Sequence, residues 1–363
     1  QTTWTFSLAI LMLGLSAGFL GSFAEKIGPK KSGLLAMLFW VTGLLGTAYA
    51  LSIHNLTLLY LFYGIIGGIG LGIGYITPVS TLVKYFPNRP GFATGLAIMG
   101  FGFASLIAGP LMQYLVAQVG LVDTFIILGV IYLVIMGASS LYLKAPQPKH
   151  STRTTKDRST MYVHTHGMLA NDAMKTWQFG ALWWVFFINI TCGIGLLSLA
   201  SPMAQEAIGM TPAAAASLVG IIGIFNGGGR IAWSTISDYL GRAQTYILFF
   251  MIEIVAFYLL AQTNSALTFQ ILILLIITCY GGGFSCMPAY LADLYGIRQL
   301  STIHGRILTA WGLAGIAGPM LVSYFHEAGY GYTTALECFA ALFVINTIIA
   351  IVLKLYGKRE LHN

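Results

Sequence analysis

The chain has 363 residues, of which 57% are hydrophobic and only 8% charged, with a mean hydropathy of +0.80. Such a composition excludes an ordinary soluble domain and places the chain among polytopic membrane proteins. Eighteen Lys and Arg against eleven Asp and Glu give a formal charge of +7, and where those cations fall decides what the excess means.

In chain order, apolar runs of about twenty residues, the length that crosses a bilayer core, are predicted at 3–23, 33–51, 57–79, 92–117, 122–143, 179–200, 213–234, 244–262, 267–292, 304–325 and 333–354. If these eleven spans alternate in direction, the segments after Phe23, Val79, Leu143, Trp233, Ala292 and Leu353 share one side. Seventeen of the eighteen cations lie there, and the opposite connections carry none. The asymmetry predicts that the basic side, with the loop Lys144 to Lys175, faces the cytoplasm of a cell (plasma or bacterial inner) membrane. It reports topology and gives no argument for nucleic acid, because the cations are spread over six short segments. No cleavage pattern follows the first span, so no signal peptide is expected.

Two segments share a pattern: GSFAEKIGPK at Gly21 to Lys30 and STISDYLGRA at Ser234 to Ala243. They match Glu25 with Asp238 and Gly28 with Gly241 at an offset of 213 residues. Pro78 matches Pro288 at 210, and the step Gly109, Pro110 matches Gly318, Pro319 at 209. A nearly constant offset predicts duplicated halves: 1–143 and 179–355, joined by a cytoplasmic loop 144–178 and followed by a tail 356–363. The span at Phe179 to Ala200 has no counterpart in the first half, which predicts a twelve-helix plan with helix one missing. Two six-helix halves in a parallel repeat are the all-α plan of the major facilitator superfamily. The acidic residue, glycine and base of the two loops (Glu25, Gly28, Lys30; Asp238, Gly241, Arg242) resemble that superfamily's loop signature, with Glu25 in place of the usual Asp.

Arg230 is the one cation that cannot be placed at a membrane face, since it lies inside the apolar run Ala213 to Trp233. A central arginine is unfavourable by roughly 2.5 to 3.5 kcal/mol on insertion scales, so it points to a cavity or an anionic ligand, against a buried ion pair or snorkelling. It precedes Asp238 by eight residues, which at 1.5 Å per residue puts it about 12 Å deep. Tyr75, Phe284, Phe101 and Trp311 reach similar depth by the same count and are expected to line the same layer, the alternative for each being lipid or core packing. Asn226 lies one turn before Arg230 and is expected to orient its guanidinium. Glu253, deep in its span, is a candidate for proton coupling, with a locally hydrogen-bonded or protonated residue as the preferred alternative. His304, Asp293 and Arg306 lie at span ends and are expected to be solvated, with a gate salt bridge as the alternative.

The glycine runs at Gly67 to Gly74, Asn226 to Arg230 and Tyr280 to Phe284 lie inside apolar spans, which favours close helix packing over phosphate binding. Cys192, Cys279, Cys286 and Cys338 read as packing residues, and His164 and His166 as solvated loop residues. Asn55, Leu56, Thr57 matches a weak glycosylation acceptor. No cofactor or metal is expected, and no nucleophile with an acid or base partner supports an enzyme.

The stretches PVSTLVKYFPNRPGFATGLAIMGFGFASLIAGPL at Pro78 to Leu111 and FNGGGRIAWSTISDYLGR at Phe225 to Arg242 resemble the oxalate/formate antiporter family of that superfamily, which is similar to the monocarboxylate transporters. The resemblance implies a transporter of small organic carboxylates, with the arginine's substrate contact falling on Arg230 and the family's aromatics on Tyr75, Phe101, Tyr280 and Phe284. Oxalate-carrying members have a lysine where GRILTAW places Trp311. At an effective dielectric near 20 a charge pair at 4 Å is worth about 4 kcal/mol, so its loss favours a monocarboxylate such as lactate, pyruvate or formate. The monocarboxylate transporters have Asp where this chain has Asn226, which removes one titratable group. The partners expected are that carboxylate and the lipid bilayer, with a monomer as the working assembly. A multidrug exporter is the alternative within the superfamily, weakened because Gly109 and Pro110 are followed by Leu111, Met112 and Gln113. A non-transporting membrane sensor is the alternative of another class.

Overall fold

Within a bilayer no water reaches the backbone, so each span has to satisfy its own N–H and C=O groups, and a helix does so without a partner strand. The computed structural model describes residues 3–145 and 167–356, and every long element among them is helical. The helices are α1 (Thr3–Ile27), α2 (Pro29–Ser52), α3 (Leu56–Tyr85), α4 (Pro90–Tyr142), α5 (Trp177–Glu206), α6 (Pro212–Leu240), α7 (Arg242–Gln262), α8 (Ala266–Tyr295), α9 (Leu300–Glu327) and α10 (Gly331–Tyr356). All ten are long and apolar enough to cross a membrane. His164 and His166 lie outside the described residues.

Their ends are set by local chemistry. Gly28 and Gly241 adopt φ of 81° and 92°, a region that only glycine enters cheaply, and a new helix starts directly after each. Asn55 is exposed and caps α3, its Oδ1 accepting from the Leu58 N–H at 3.0 Å. Proline follows the cap at Pro29, Pro90 and Pro212, where its missing N–H costs nothing.

Two features differ from the sequence expectation. The spans predicted at 92–117 and 122–143 run together in α4, where Gly120 at φ 82° forms the bend between two legs and the turn is too tight to leave a loop. Inside α3, Tyr60–Gly67 is a π-helix, which adds a residue to the turn before the glycine-rich half begins.

Residues group into two compact units, and neither follows chain order. The first comprises Gln1–Asn88, Pro110–Phe179 and Leu291–Leu313. In it α1 lies along the start of α9 through a seam of small residues: Gly14 faces the Leu308 carbonyl and Gly312, Gly18 faces Gly305, and Gly21 faces Ser301. The glycines of α3 divide between two neighbours, Gly68 and Gly72 meeting α1 at Ala9 and Leu13 while Gly70 meets α2 at Ala36 and Trp40. Close helix packing is therefore what that run does.

The second unit comprises Arg89–Gly109, Gly180–Tyr290 and Ala314–Asn363. Here the first leg of α4 packs on α6, with Gly95 against Arg230 and Ile231 and Gly102 against Gly227. α7 and α10 join through rings, Phe257 stacking on Phe343 at 5.6 Å and meeting Phe339 edge-on. Cys192, Cys279 and Cys286 are buried thiols in this unit, and Cys338 is partly covered.

The seam predicts a measurable asymmetry between glycines. A methyl group at Gly305 would collide with the Ala17 carbonyl, whereas one at Gly100 would meet nothing within 4 Å. Gly305→Ala should lose about 1–3 kcal/mol of stability by overpacking and unfold at lower temperature in detergent, and Gly100→Ala should not; equal melting temperatures would contradict this packing.

Candidate functional site

Arg230 sits on the buried side of α6 and is 4% exposed, so its guanidinium does not face lipid. One turn earlier on the same helix, Asn226 Oδ1 accepts a hydrogen bond from Arg230 Nε at 3.0 Å, as the i, i+4 spacing predicts. The guanidinium carbon lies 4.8 Å from the ring centre of Phe284 on α8 and 6.0 Å from that of Phe101 on α4, both within cation–π range. The backbone is fixed as well: the Arg230 carbonyl accepts from the Ser285 hydroxyl at 2.9 Å and from Ser234. A cation held at Nε by an amide and faced by rings keeps the shape needed to meet a planar carboxylate.

The glycine run on α8 makes this arrangement possible. A Cβ at Gly281 would stand 2.7 Å from the Asn226 carbonyl oxygen and 3.1 Å from Arg230 Cγ, so only a bare backbone lets α8 approach. Its neighbours do the same elsewhere, Gly282 against Trp233 and Gly283 against Asn189. Tyr280 is buried, its ring lying on Gly193 and its carbonyl accepting from Asn189 Nδ2 at 3.4 Å. Phe284 also meets Phe186 at 5.2 Å. Phe101 differs from the others in being 42% exposed.

Tyr75 and Trp311 belong to the first unit and touch each other, ring centres 5.5 Å apart and edge-on. Tyr75 also meets His304 at 5.7 Å. His304 corrects the expectation of a solvated residue at a span end, because it is only 1% exposed. Counting from the end of a span measures depth and says nothing of which way a side chain points. Arg306 is half-buried: its Nη2 donates to Asn171 Oδ1 at 2.7 Å, while Nη1 is buried. Glu253 on α7 is buried, and its Oε2 has no hydrogen-bond partner among the described residues.

The two signature loops are built differently. Asp238 accepts hydrogen bonds from the Gly91 and Phe92 N–H groups, both at 2.8 Å, so its carboxylate caps the positive end of α4. It also pairs with Arg242 at 2.6 Å, both side chains 6% exposed, and Arg242 reaches Ser237 too. In the first unit Glu25 meets Lys84 at 3.2 Å and accepts from Thr302 at 3.4 Å. The cation beside Glu25 thus comes from α3, while Lys30 is exposed at the start of α2. The Asp238 to Arg242 spacing could be read from sequence; the roles of Lys84, Ser285 and Gly281 depend on which helices meet and could not.

Comparison with known proteins agrees with this architecture. The family model described as Major Facilitator Superfamily matches residues 1–319 and 182–361. The chain is 29% identical over 320 residues to the MFS-type transporter YhjX of Escherichia coli K12, covering 87% of this chain and 77% of that protein. It is 25% identical over 338 residues to the oxalate:formate antiporter of Oxalobacter formigenes, covering 92% and 77%. With human monocarboxylate transporter 14 the identity is 21% over 433 residues, covering 97% and 82%. Among solved structures, the human organic anion transporter MFSD10 (TETRAN) superposes with a TM-score of 0.76 at 15% identity, covering 96% of this chain and 83% of that one. The E. coli fucose:proton symporter FucP gives 0.72 at 15%, covering 96% of each. At such identities the structures speak for the fold alone.

Removing the Asp238 carboxylate should be costly, since Arg242 would stay buried without its counter-ion. Asp238→Ala is expected to lose about 3–5 kcal/mol and Asp238→Asn less, because an amide oxygen still accepts from a backbone N–H. Chemical unfolding of the two variants in detergent checks the order.

Proposed function

The chain belongs to the Major Facilitator Superfamily and is a multi-pass membrane transporter, and from that premise we propose that it carries small monocarboxylates such as lactate, pyruvate or formate by alternating access. The observation that carries this reading is the buried guanidinium of Arg230, oriented by Asn226 and faced by Phe284 and Phe101. A fork with this support binds a carboxylate bidentately, and its aromatic walls favour a substrate with little else to solvate. Tyr280 packs the same unit, and Tyr75 and Trp311 are proposed as further substrate contacts.

Trp311 supports the restriction to one carboxylate. An indole supplies no fixed charge for a second anionic group, whereas a lysine there would. The names of similar proteins, an oxalate:formate antiporter and a monocarboxylate transporter, agree with carboxylate chemistry in general. The sequence repeat supports two rocking halves, at 1–143 and 179–355, with the polar stretch 144–178 between them. The signature residues Glu25, Gly28, Lys30, Asp238, Gly241 and Arg242 would shape the basic face through which the halves move, and the cation asymmetry supports a cytoplasmic position for that face. Glu253 is proposed as a buried packing carboxyl rather than a coupling group.

Uptake of labelled lactate, pyruvate, formate and oxalate into proteoliposomes tests the assignment, and export of drugs without any carboxylate movement would overturn it. Arg230→Lys keeps the charge but loses the fork. Losing one charge-assisted hydrogen bond, worth about 1.5–3 kcal/mol, should reduce uptake roughly tenfold to a hundredfold; unchanged uptake would remove Arg230 as the anchor. Trp311→Lys should raise oxalate uptake relative to lactate, as competition between the two substrates would show.

A further inference from the structure

The second unit holds a cavity that takes no part in the reading above. About 300 Å³ in volume, it lies where the C-terminal end of α5 meets the turn from α9 into α10, and neither Arg230 nor Asn226 lines it. Its apolar wall comes from Leu199 on α5, Val322 and Phe325 on α9 and Ala335 on α10, and its charged and polar side chains are Glu206 and Tyr332. Gly329 and Gly331, with φ of 74° and 70°, complete the lining, and two left-handed residues so close together fold the chain back on that side. Glu206 is exposed while Leu199 and Ala335 are buried, which puts the charge at the mouth and hydrocarbon inside.

The charge at this end has one sign. α5 begins just after Lys175 and reaches Glu206 over 30 residues, about 45 Å of helix, so the cavity stands at the far end of α5 from the basic loop. Residues 199–215 and 320–340, which build it, carry Glu206, Glu327 and Glu337 and no Lys or Arg. Among the described residues Glu206 forms no ion pair. Its Oε2 accepts from the Tyr332 hydroxyl at 2.5 Å, which fixes the carboxylate, and its Oε1 accepts from no described residue.

These features narrow the occupant by exclusion. An anion is repelled by Glu206. A bare metal ion needs several oxygen ligands, more than one carboxylate and one phenol supply. A neutral apolar molecule leaves the carboxylate unused. A cation carried on hydrocarbon uses every part: the carboxylate accepts from its N–H, the rings of Phe325 and Tyr332 attract the same charge when it lies over their faces, and the apolar wall covers its carbon skeleton. We propose that the cavity binds an organic ammonium ion with a small apolar body, its nitrogen at Glu206 and its hydrocarbon against Phe325, Val322 and Leu199. The site differs from that of Arg230 in both charge and lining, so it stands whether or not the chain carries carboxylates. A free amine and the amine of a phospholipid headgroup share this chemistry.

Calorimetric titration of the full-length protein in detergent with 2-phenylethylammonium, and with 2-phenylethanol as its uncharged counterpart, tests the site. The wild type should bind the ammonium about fivefold more tightly, the size of effect expected of a carboxylate at a wet rim, and Glu206→Gln should bring the two to within about twofold. Val322→Trp, which fills the cavity, should weaken both. Equal affinities in the wild type, or no saturable binding of the ammonium, overturn the proposal whether or not the variants fold, as does a preference that survives in a folded Glu206→Gln. Titration in phosphatidylglycerol nanodiscs with and without phosphatidylethanolamine separates the two sources of ligand: a weaker apparent affinity beside the ethanolamine lipid assigns the site to the headgroup, and an equal one assigns it to a free amine.

Discussion

A guanidinium inside an apolar span has to obtain from the protein what water would otherwise give it, and much of the second unit is arranged around that need. Asn226 supplies an acceptor to Nε, and two rings supply faces to the cation. Each partner comes from a helix that must approach α6 closely. Gly281 admits α8, and Gly102 against Gly227 admits α4. Ordinary side chains at these positions would push Phe284 and Phe101 outward and leave the charge with fewer neighbours. The glycine runs and the arginine are therefore parts of one construction, in which absent Cβ atoms position the groups that make the buried charge tolerable.

The same logic explains what could be read from the chain before its structure was known. Most of the spans, the uneven distribution of the cations along the chain and the exceptional position of Arg230 are properties of local sequence and were legible. So was the contact from Asn226 to Arg230, because residues four apart on a helix are neighbours whatever surrounds them. Tyr75 and Trp311, set at similar depth by counting along their spans, have rings that meet. The expectation that a residue at a span end is solvated failed for His304, because position along the helix leaves the angle around it open. Lys84 and Ser285 became visible only once α1 was seen beside α3 and α6 beside α8. The break between the spans at 92–117 and 122–143 was legible, but that Gly120 at φ 82° turns the chain there without a loop was not.

The π-helical stretch at Tyr60–Gly67 has a comparable effect on packing. Its wider turn takes up an additional residue and so changes the angle at which the following glycines emerge. Gly68 and Gly72 then face α1 while Gly70 faces α2, which serves two neighbours from one short segment. Residues two apart on a helix point to opposite sides, so this alternation follows from the regular helix that succeeds the π turn.

The contrast between Asp238 and Glu25 has a consequence for how the two loops respond to dissolved ions. Asp238 and Arg242 are almost fully shielded and share their carboxylate with two backbone amides, so mobile counter-ions have little access to them. Glu25 and Lys84 are 19% and 30% exposed and lie further apart. At an ionic strength of about 0.15 M the screening length is only about 8 Å, and it falls to about 3 Å near 1 M. Raising salt therefore loosens the Glu25 pair while leaving the Asp238 lock closed, so one of two loops with similar sequences is ion-sensitive and the other is not.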